Sequence, residues 1–468
     1  MKAMMVGGTA SGAGKSWMTA AICAWLHRRG VRVAPFKAQN MSNNSFPCAG
    51  GGEIGRAQVA QAEACGLEPT VDMNPILLKP TGETGSQVVV QGQVWKNLTA
   101  RQYYENYEYL ASKVDESYLR LATQHDFIVM EGAGSVAELN LRRTDLVNLG
   151  LAQKFNAGVL LVGDIDRGGI FASIYGTLAL LPPEEAALIR AFAVNRFRGD
   201  PSLFTSGVTI LEQKTAKPCL GVFPYAMDIH LDEEDGMSGE RWRPRPGGAP
   251  SVAILAFPRI SNVTDFRLLP WASRIERPSQ RAFDIVILPG TKNTVADLEW
   301  MRAQGLDHWL LEQHKNGSRI IGICGGYQML GLRIEDPHYV ESSRGGADGL
   351  GLLPITTRLQ KDKVTHRVMA RSPHGTLFEA YEIHMGETAT PVDAVPFAFV
   401  DDRPEGVQSD RCVGTYLHGA LEHPGIVEEW LGYRPDAVPS KQDSYDQLAE
   451  WFEASADIPL FERLFLNA

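Results

Sequence analysis

Short apolar runs alternate with longer helical stretches twice along this chain, and that double alternation restricts the fold more than any other feature. The first series reads KAMMVGG, VRVAPF, DFIVMEG, AGVLLVGD, AFAVNRF and CLGVF. Strands separated by helices are joined by crossovers rather than hairpins, so they lie parallel in a doubly wound α/β sheet. A second series, SVAILAF, FDIVILPG, SRIIGICGG and CVGTYLHG, predicts another α/β domain. Between the two, an acidic run passes into a Pro/Arg/Gly run with little periodicity, the texture of a linker. The expected organisation is a first domain over residues 1–228, a linker over 229–250 and a second domain over 251–468. Near the end, DSYDQLAEWFEA sets Leu448, Trp451 and Phe452 on one helical face, which reads as a packing surface.

Charge narrows the partners. Lys plus Arg total 45 against 55 Asp plus Glu, a formal charge of −10. That balance argues against nucleic acid or an anionic membrane as a partner, so an anionic ligand must be met by a local basic cluster. The richest apolar runs have strand length, and none reaches the roughly 18 residues of a membrane helix. MKAMMVGG is too short an apolar run for a secretory signal, which makes a cytoplasmic location the expectation. The six cysteines are scattered without a CxxC pair, fitting neither a disulfide framework nor a zinc site. Five of them read as small buried residues, and Cys324 stands apart.

Directly after the first apolar run comes GTASGAGKS, followed by a helical stretch that ends at Gly30. Strand, glycine-rich turn and helix in that order make a phosphate cradle. Gly12 and Gly14 let backbone N–H groups approach phosphates, Lys15 supplies a charge for the β and γ oxygens, and Ser16 offers a hydroxyl to Mg²⁺. The commonest pattern places a glycine where this chain has Thr9, the glycine standing at Gly8 instead. Glu131 closes the strand DFIVMEG at the sheet edge where a metal-bound phosphate would sit, and is the second candidate Mg²⁺ ligand. Asp145, Asp164 and Asp166 lie in or beside loops at strand ends, and Asp145 is assigned to organising the reacting groups.

In the second domain Gly322-Ile323-Cys324-Gly325-Gly326 reads G-x-C-x-G, the cysteine form of a nucleophile elbow. The Gly325 N–H and the backbone at Gly290, in Pro289-Gly290-Thr291-Lys292, are candidate oxyanion donors. His418 ends another predicted strand and is the candidate general base, with His384 of YEIHMG assigned a structural or substrate-side role.

These pieces together carry a resemblance. The Gly8-to-Ser16 spacing is similar to that of dethiobiotin synthetase and its relatives. The ordered segments GTASGAGKS, FKAQNMSNNS, MNPILLKP, SQVVVQG, EGAGS, DIDRGGIF, NRFRGD, PRISNVTDF, LPGTKNTVADL, GICGGYQMLG, YEIHMG and GTYLHG resemble the cobyric acid synthase family over nearly the whole chain. The resemblance implies a dethiobiotin-synthetase-like P-loop domain followed by a class I glutamine amidotransferase domain. It implies ATP- and glutamine-dependent amidation of the b, d, e and g carboxylates of adenosylcobyrinic acid a,c-diamide through acyl phosphates. It also places Asn195 of NRFRGD on the nucleotide side, and makes Lys79, Arg142, Arg143, Asp164, Asp166 and Arg167, with Arg196 and Arg198, candidates for the polyanionic corrinoid. Class I enzymes carry a glutamate two residues after the histidine, where this chain has Ala420, so a Cys–His dyad is expected and the group orienting His418 is left unassigned. Cobyrinic acid a,c-diamide synthase shares both motifs and stays an alternative, as does a P-loop switch ATPase. The sequence leaves the oligomeric state open.

Overall fold

The computed structural model describes residues 2–81, 85–226, 229, 231, 244–342, 344–435 and 440–467. Most of the predicted linker therefore lies outside the described residues. The first parallel sheet contains all six expected runs: β1 (Lys2–Gly8), β2 (Val33–Phe36), β3 (Phe127–Glu131), β4 (Gly158–Asp164), β5 (Ile189–Phe197) and β6 (Cys219–Pro224), in the order β6-β5-β4-β1-β3-β2. Its central strands are buried along nearly their whole length, which is why they read as unbroken apolar runs rather than alternating ones. The register pairs Val6 with Glu131 and Asp164 with Asn195, gathering the loop after β1, Glu131 and Asn195 at one sheet edge.

Between β2 and β3 the chain departs from simple alternation. It builds a four-stranded sheet from Gln39–Met41, Ile76–Pro80, Gly85–Val90 and Gln93–Thr99, together with the helix Arg56–Ala64. The second parallel sheet holds β7 (Val252–Leu255), β8 (Ser273–Ile275), β9 (Ile285–Leu288), β10 (Arg319–Ile323) and β12 (Cys412–Thr415). β11 (Val407–Ser409) pairs antiparallel at its edge, and the order is β8-β7-β9-β10-β12-β11. A long hairpin, Thr356–Arg371 with Leu377–Ala389, reaches from this domain toward the first.

The boundaries expected from sequence need one correction. Residues 441–467, drawn with the second domain, pack on the first. Phe452 is fully buried, with ring centroids 5.7 Å from Trp25, 6.0 Å from Phe223 and 5.3 Å from Phe461. Trp25 belongs to α1 (Lys15–Arg28), which is apolar nearly all round because it lies between the sheet and this returning helix. Leu448, Trp451 and Phe452 do form a packing face, but its partner is the P-loop helix. Among the described residues no helix is long and apolar enough to cross a membrane.

Candidate functional site

Gly12 (φ 70°) and Gly14 (φ 93°) hold the loop after β1 in the left-handed region, where a side chain is strained. A Cβ on Gly14 would also fall 2.1 Å from Asn195 Nδ2, which donates to the Ala13 carbonyl at 3.0 Å, so Asn195 braces the loop from β5. The Lys15 ammonium donates to the carbonyls of Ala10 and Gly134, both at 2.9 Å, and curls over the loop it serves. Gly8 stands where a Cβ would crowd Lys15 Cδ at 2.9 Å, and the Thr9 N–H is anchored to Val162 O at 3.0 Å. Ser16 Oγ donates to Glu131 Oε1 at 2.7 Å, and the Lys37 ammonium reaches the same oxygen at 2.9 Å. Gln61 Nε2 donates to Glu131 Oε2 at 2.5 Å. Burial would raise the Glu131 carboxyl, but Lys37 together with the Gln61 and Ser16 hydrogen bonds outweighs it and holds the group below its ordinary range. Among the described residues no three His, Cys, Asp or Glu side chains are grouped to hold a metal. A phosphate-bound Mg²⁺ asks less of the protein, and the hydroxyl of Ser16 beside the Glu131 carboxylate is a hard-oxygen pair that fits it.

The other first-domain candidates separate. Arg167 hangs over the loop: a Cβ on Gly12 would meet its Nη2 at 3.1 Å. Asp164 bonds to Arg196 at 3.0 Å, lies 3.6 Å from Arg167 and accepts from the Asp166 N–H, while Asp166 pairs with Arg198 at 2.5 Å. Both aspartates are thus matched by arginines at the sheet edge. Arg142 pairs with Glu185. Arg143 lies in the same short turn, and its side chain is outside the described set.

Two further candidates are held by partners that the sequence did not indicate. Asp145 Oδ1 accepts the N–H groups of Val147 and Asn148 at 2.8 and 3.0 Å, so one carboxylate oxygen is committed to closing its own turn, and burial raises its pKa. Lys79 is not on an open corrinoid-facing surface. It is buried at the domain boundary, 2.7 Å from Glu53, because its strand runs toward the second domain.

At the elbow, Cys324 takes φ 50°, ψ −106° between β10 and the short helix Gly325–Leu330. The glycines make this geometry possible. A Cβ on Gly326 would lie 2.0 Å from Leu288 O, and one on Gly322 would lie 2.7 Å from Gly326 O, so the helix rests directly on the sheet. Gly290 and Gly325 flank the site: a Cβ on Gly290 would meet His418 Cε1 at 2.7 Å, and one on Gly325 would lie 3.2 Å from the Thr291 nitrogen. Cys324 Sγ donates to the Ile383 carbonyl at 3.6 Å and acts electrostatically on His418, a residue with no exposed surface. The dyad expected from Ala420 is completed from another loop. Asp265 Oδ2 lies 2.7 Å from His418 Nδ1, and its Oδ1 accepts the Gly419 N–H at 2.6 Å. Burial would lower the His418 pKa, but Asp265 and then Cys324 raise it to about 10. The other buried thiols are core residues, Cys48 and Cys412 being pushed to about 12 by burial.

The pocket in front of Cys324 is walled by both domains, with Asn43 and Lys79 from the first and Asn262, Lys292, Glu341 and Lys363 from the second. Glu53 sits behind it, fully buried, bonded to Lys79, Lys363 and the Ser45 hydroxyl. His384 also lines this pocket, stacked 3.9 Å from Tyr416 and bonded through Nδ1 to Gly386 O, in keeping with a substrate-side place. Sequence reasoning missed Lys37, Gln61, Asn262 and Asp265. The signal for Lys37 was a cation closing β2, and for Asp265 an acid in the loop after β7.

Residues 4–238 match the CobQ/CobB/MinD/ParA nucleotide binding domain, and residues 251–425 match the CobB/CobQ-like glutamine amidotransferase domain. The cobyric acid synthase of Cereibacter sphaeroides is 48% identical, covering 98% of this chain and 98% of that protein. That of Syntrophobacter fumaroxidans is 44% identical with 98% of each covered, and that of Bacteroides fragilis is 42% identical over 99% of this chain and 98% of its own.

Proposed function

The chain belongs to the cobyric acid synthase family of cobalamin biosynthesis, and from that premise we propose how its residues divide the work of an ATP- and glutamine-dependent amidoligase. Its substrates are a corrinoid, glutamine and ATP, the corrinoid being adenosylcobyrinic acid a,c-diamide, amidated at b, d, e and g in the cytoplasm. In the second domain the Cys324 sulfur attacks the glutamine carboxamide while His418 takes the thiol proton and returns it to the leaving ammonia. Asp265 holds the imidazole in register, and the backbone beside Gly290 and Gly325 receives the developing oxyanion. Water then releases glutamate from the thioester. In the first domain the loop from Gly8 to Ser16 holds ATP, Lys15 meets the transferring phosphoryl group, and Arg167 with the arginines at the sheet edge faces the polyanionic substrate. Mg²⁺ arriving with the nucleotide would be held at Ser16 and Glu131, where it would supply charge neutralisation for the phosphates. Ammonia displaces phosphate from the activated carboxylate to leave the amide.

The observation that carries this reading is the strained Cys324, facing a pocket walled by both domains, together with a buried His418–Asp265 pair whose ring feels the Cys324 charge. The test is Cys324→Ala assayed by mass spectrometry with ATP and the a,c-diamide, using glutamine or ammonium chloride. Loss of glutamine-dependent product with retention of ammonia-dependent product is expected. A variant that still releases glutamate from glutamine removes Cys324 from the mechanism.

A further inference from the structure

One stretch of nine residues, Lys37 to Ser45, joins the two sites. At one end the Lys37 ammonium binds Glu131, which also carries Ser16 of the phosphate loop. At the other end the Ser45 N–H donates to Asn262 Oδ1 at 3.1 Å, and the Asn44 side-chain oxygen accepts the Val263 N–H at 3.3 Å. The far end of the same Asn262 amide, Nδ2, lies 3.2 Å from His418 Nε2. The stretch is no slack loop. The Lys37 N–H is bonded to Met73 O, the Ser42 N–H to Leu78 O, the Asn40 amide to Gln58, and the Arg56 N–H to Asn44 O. Lys37 and Ser16 both bind Glu131, so a nucleotide that engages Ser16 acts next to the end of this pinned strut.

The hydrogen-bond roles at Asn262 follow from what each neighbour can offer. The Ser45 N–H can only donate, so the amide oxygen faces it and the NH₂ faces His418. That NH₂ needs a lone pair on Nε2, which puts the ring proton on Nδ1, toward Asp265. Catalysis spends that lone pair, because Nε2 takes the thiol proton and then carries a hydrogen of its own. A protonated Nε2–H and the Asn262 NH₂ would then be two donors facing each other. Turning the amide over relieves that clash but sets the NH₂ against the Ser45 N–H. One amide cannot satisfy both partners, so it has two exclusive arrangements, one for each state of the domain contact.

We propose that Asn262 is a positioning residue that ties glutamine hydrolysis to the first domain: in contact with Ser45 it turns its NH₂ to His418 Nε2 and opposes the protonation that Asp265 favours, and when occupancy of the nucleotide site shifts the strut, it turns and accepts from the charged ring. The proposal rests on the Cys324–His418 reading, which fails separately, through glutamate release by Cys324→Ala.

The experiment measures glutamate release by the full-length protein with glutamine alone and with ATP, Mg²⁺ and the a,c-diamide added. The wild type should be stimulated about tenfold or more. In Asn262→Ala the unstimulated rate should rise to within about threefold of the stimulated one, with ammonia-dependent amidation unchanged. A wild-type ratio of stimulated to unstimulated rate in that variant, whether both rates hold or fall together, overturns the proposal. Should Asn262→Ala lose ammonia-dependent amidation, and with it the fold, Asn44→Ala decides in the same terms. It removes the neighbouring interdomain bond without touching His418, so a raised unstimulated rate supports the coupling and an unchanged ratio refutes it.

Discussion

Replacing Asp265 by Asn keeps the shape of the side chain and removes its charge. In the native site burial works against a charged His418, and the Asp265 carboxylate, then Cys324, overcome it to raise the ring from 6.5 to about 10. That difference corresponds to about 5 kcal/mol favouring the protonated ring net of burial, so Asp265 and Cys324 together supply at least that much. If Asp265 holds about 3 kcal/mol of it, the charged ring formed during glutamine attack is destabilised by a factor of about 100. An asparagine can also present its NH₂ to Nδ1 and select the wrong tautomer, which extends the expected loss in glutamine-dependent turnover to about 10²–10⁴-fold. Because the folded-state value is raised, the stabilisation is complete below about 6.5 and fades as pH rises through about 10. Asp265→Asn should therefore be less stable than wild type at pH 7, with the gap closing at strongly alkaline pH. The alkaline limb of the glutaminase pH profile should move to lower pH. Steady-state glutamate release across pH, with ammonia-dependent amidation as the control, is the assay. Near-native turnover with an unmoved alkaline limb would refute the orienting role.

Lys15→Ala should abolish corrinoid amidation with either nitrogen source while leaving the melting temperature close to native, because the ammonium serves the loop and the phosphates rather than the core. Normal turnover with ammonia would take the phosphate loop out of the mechanism. Phe452→Ala should cost about 3–5 kcal/mol, read as a lowered unfolding midpoint together with loss of ammonia-dependent amidation. Loss of glutaminase alone would contradict the packing of the last helix on α1.

The features legible in the sequence are those set by local pattern. Buried parallel strands announce themselves as apolar runs, and the turns at Gly12, Gly14 and Cys324 by the glycines that their geometry or crowding requires. Asp265 was hidden because its partner His418 stands 153 positions away and only the sheet brings the two loops together. The burial of Lys79 was hidden for a related reason, since its surroundings exist only once the second domain is laid against its strand. The last helix displays its apolar face plainly in Leu448, Trp451 and Phe452, yet amphipathicity says that a face is buried and not which surface buries it.

The placement of charge at the domain boundary bears on what the pocket can release. The chain is acidic overall, yet the wall before Cys324 carries Lys79, Lys292 and Lys363. Burial first, and then the nearness of other cations, brings Lys79 down to about 7 and Lys292 to about 8, while Glu53 is held far down by Lys363 and Lys79 despite its burial. A wall that penalises positive charge on Lys79 and Lys292 does so for a free base beside them, His418 being the exception because Asp265 holds its charge. Ammonia freed from glutamine at Cys324 meets the same penalty on taking up a proton, and only its neutral form is a nucleophile toward an acyl phosphate. The lysine-lined wall therefore has the right sign for a glutaminase whose product must reach the first domain still able to react.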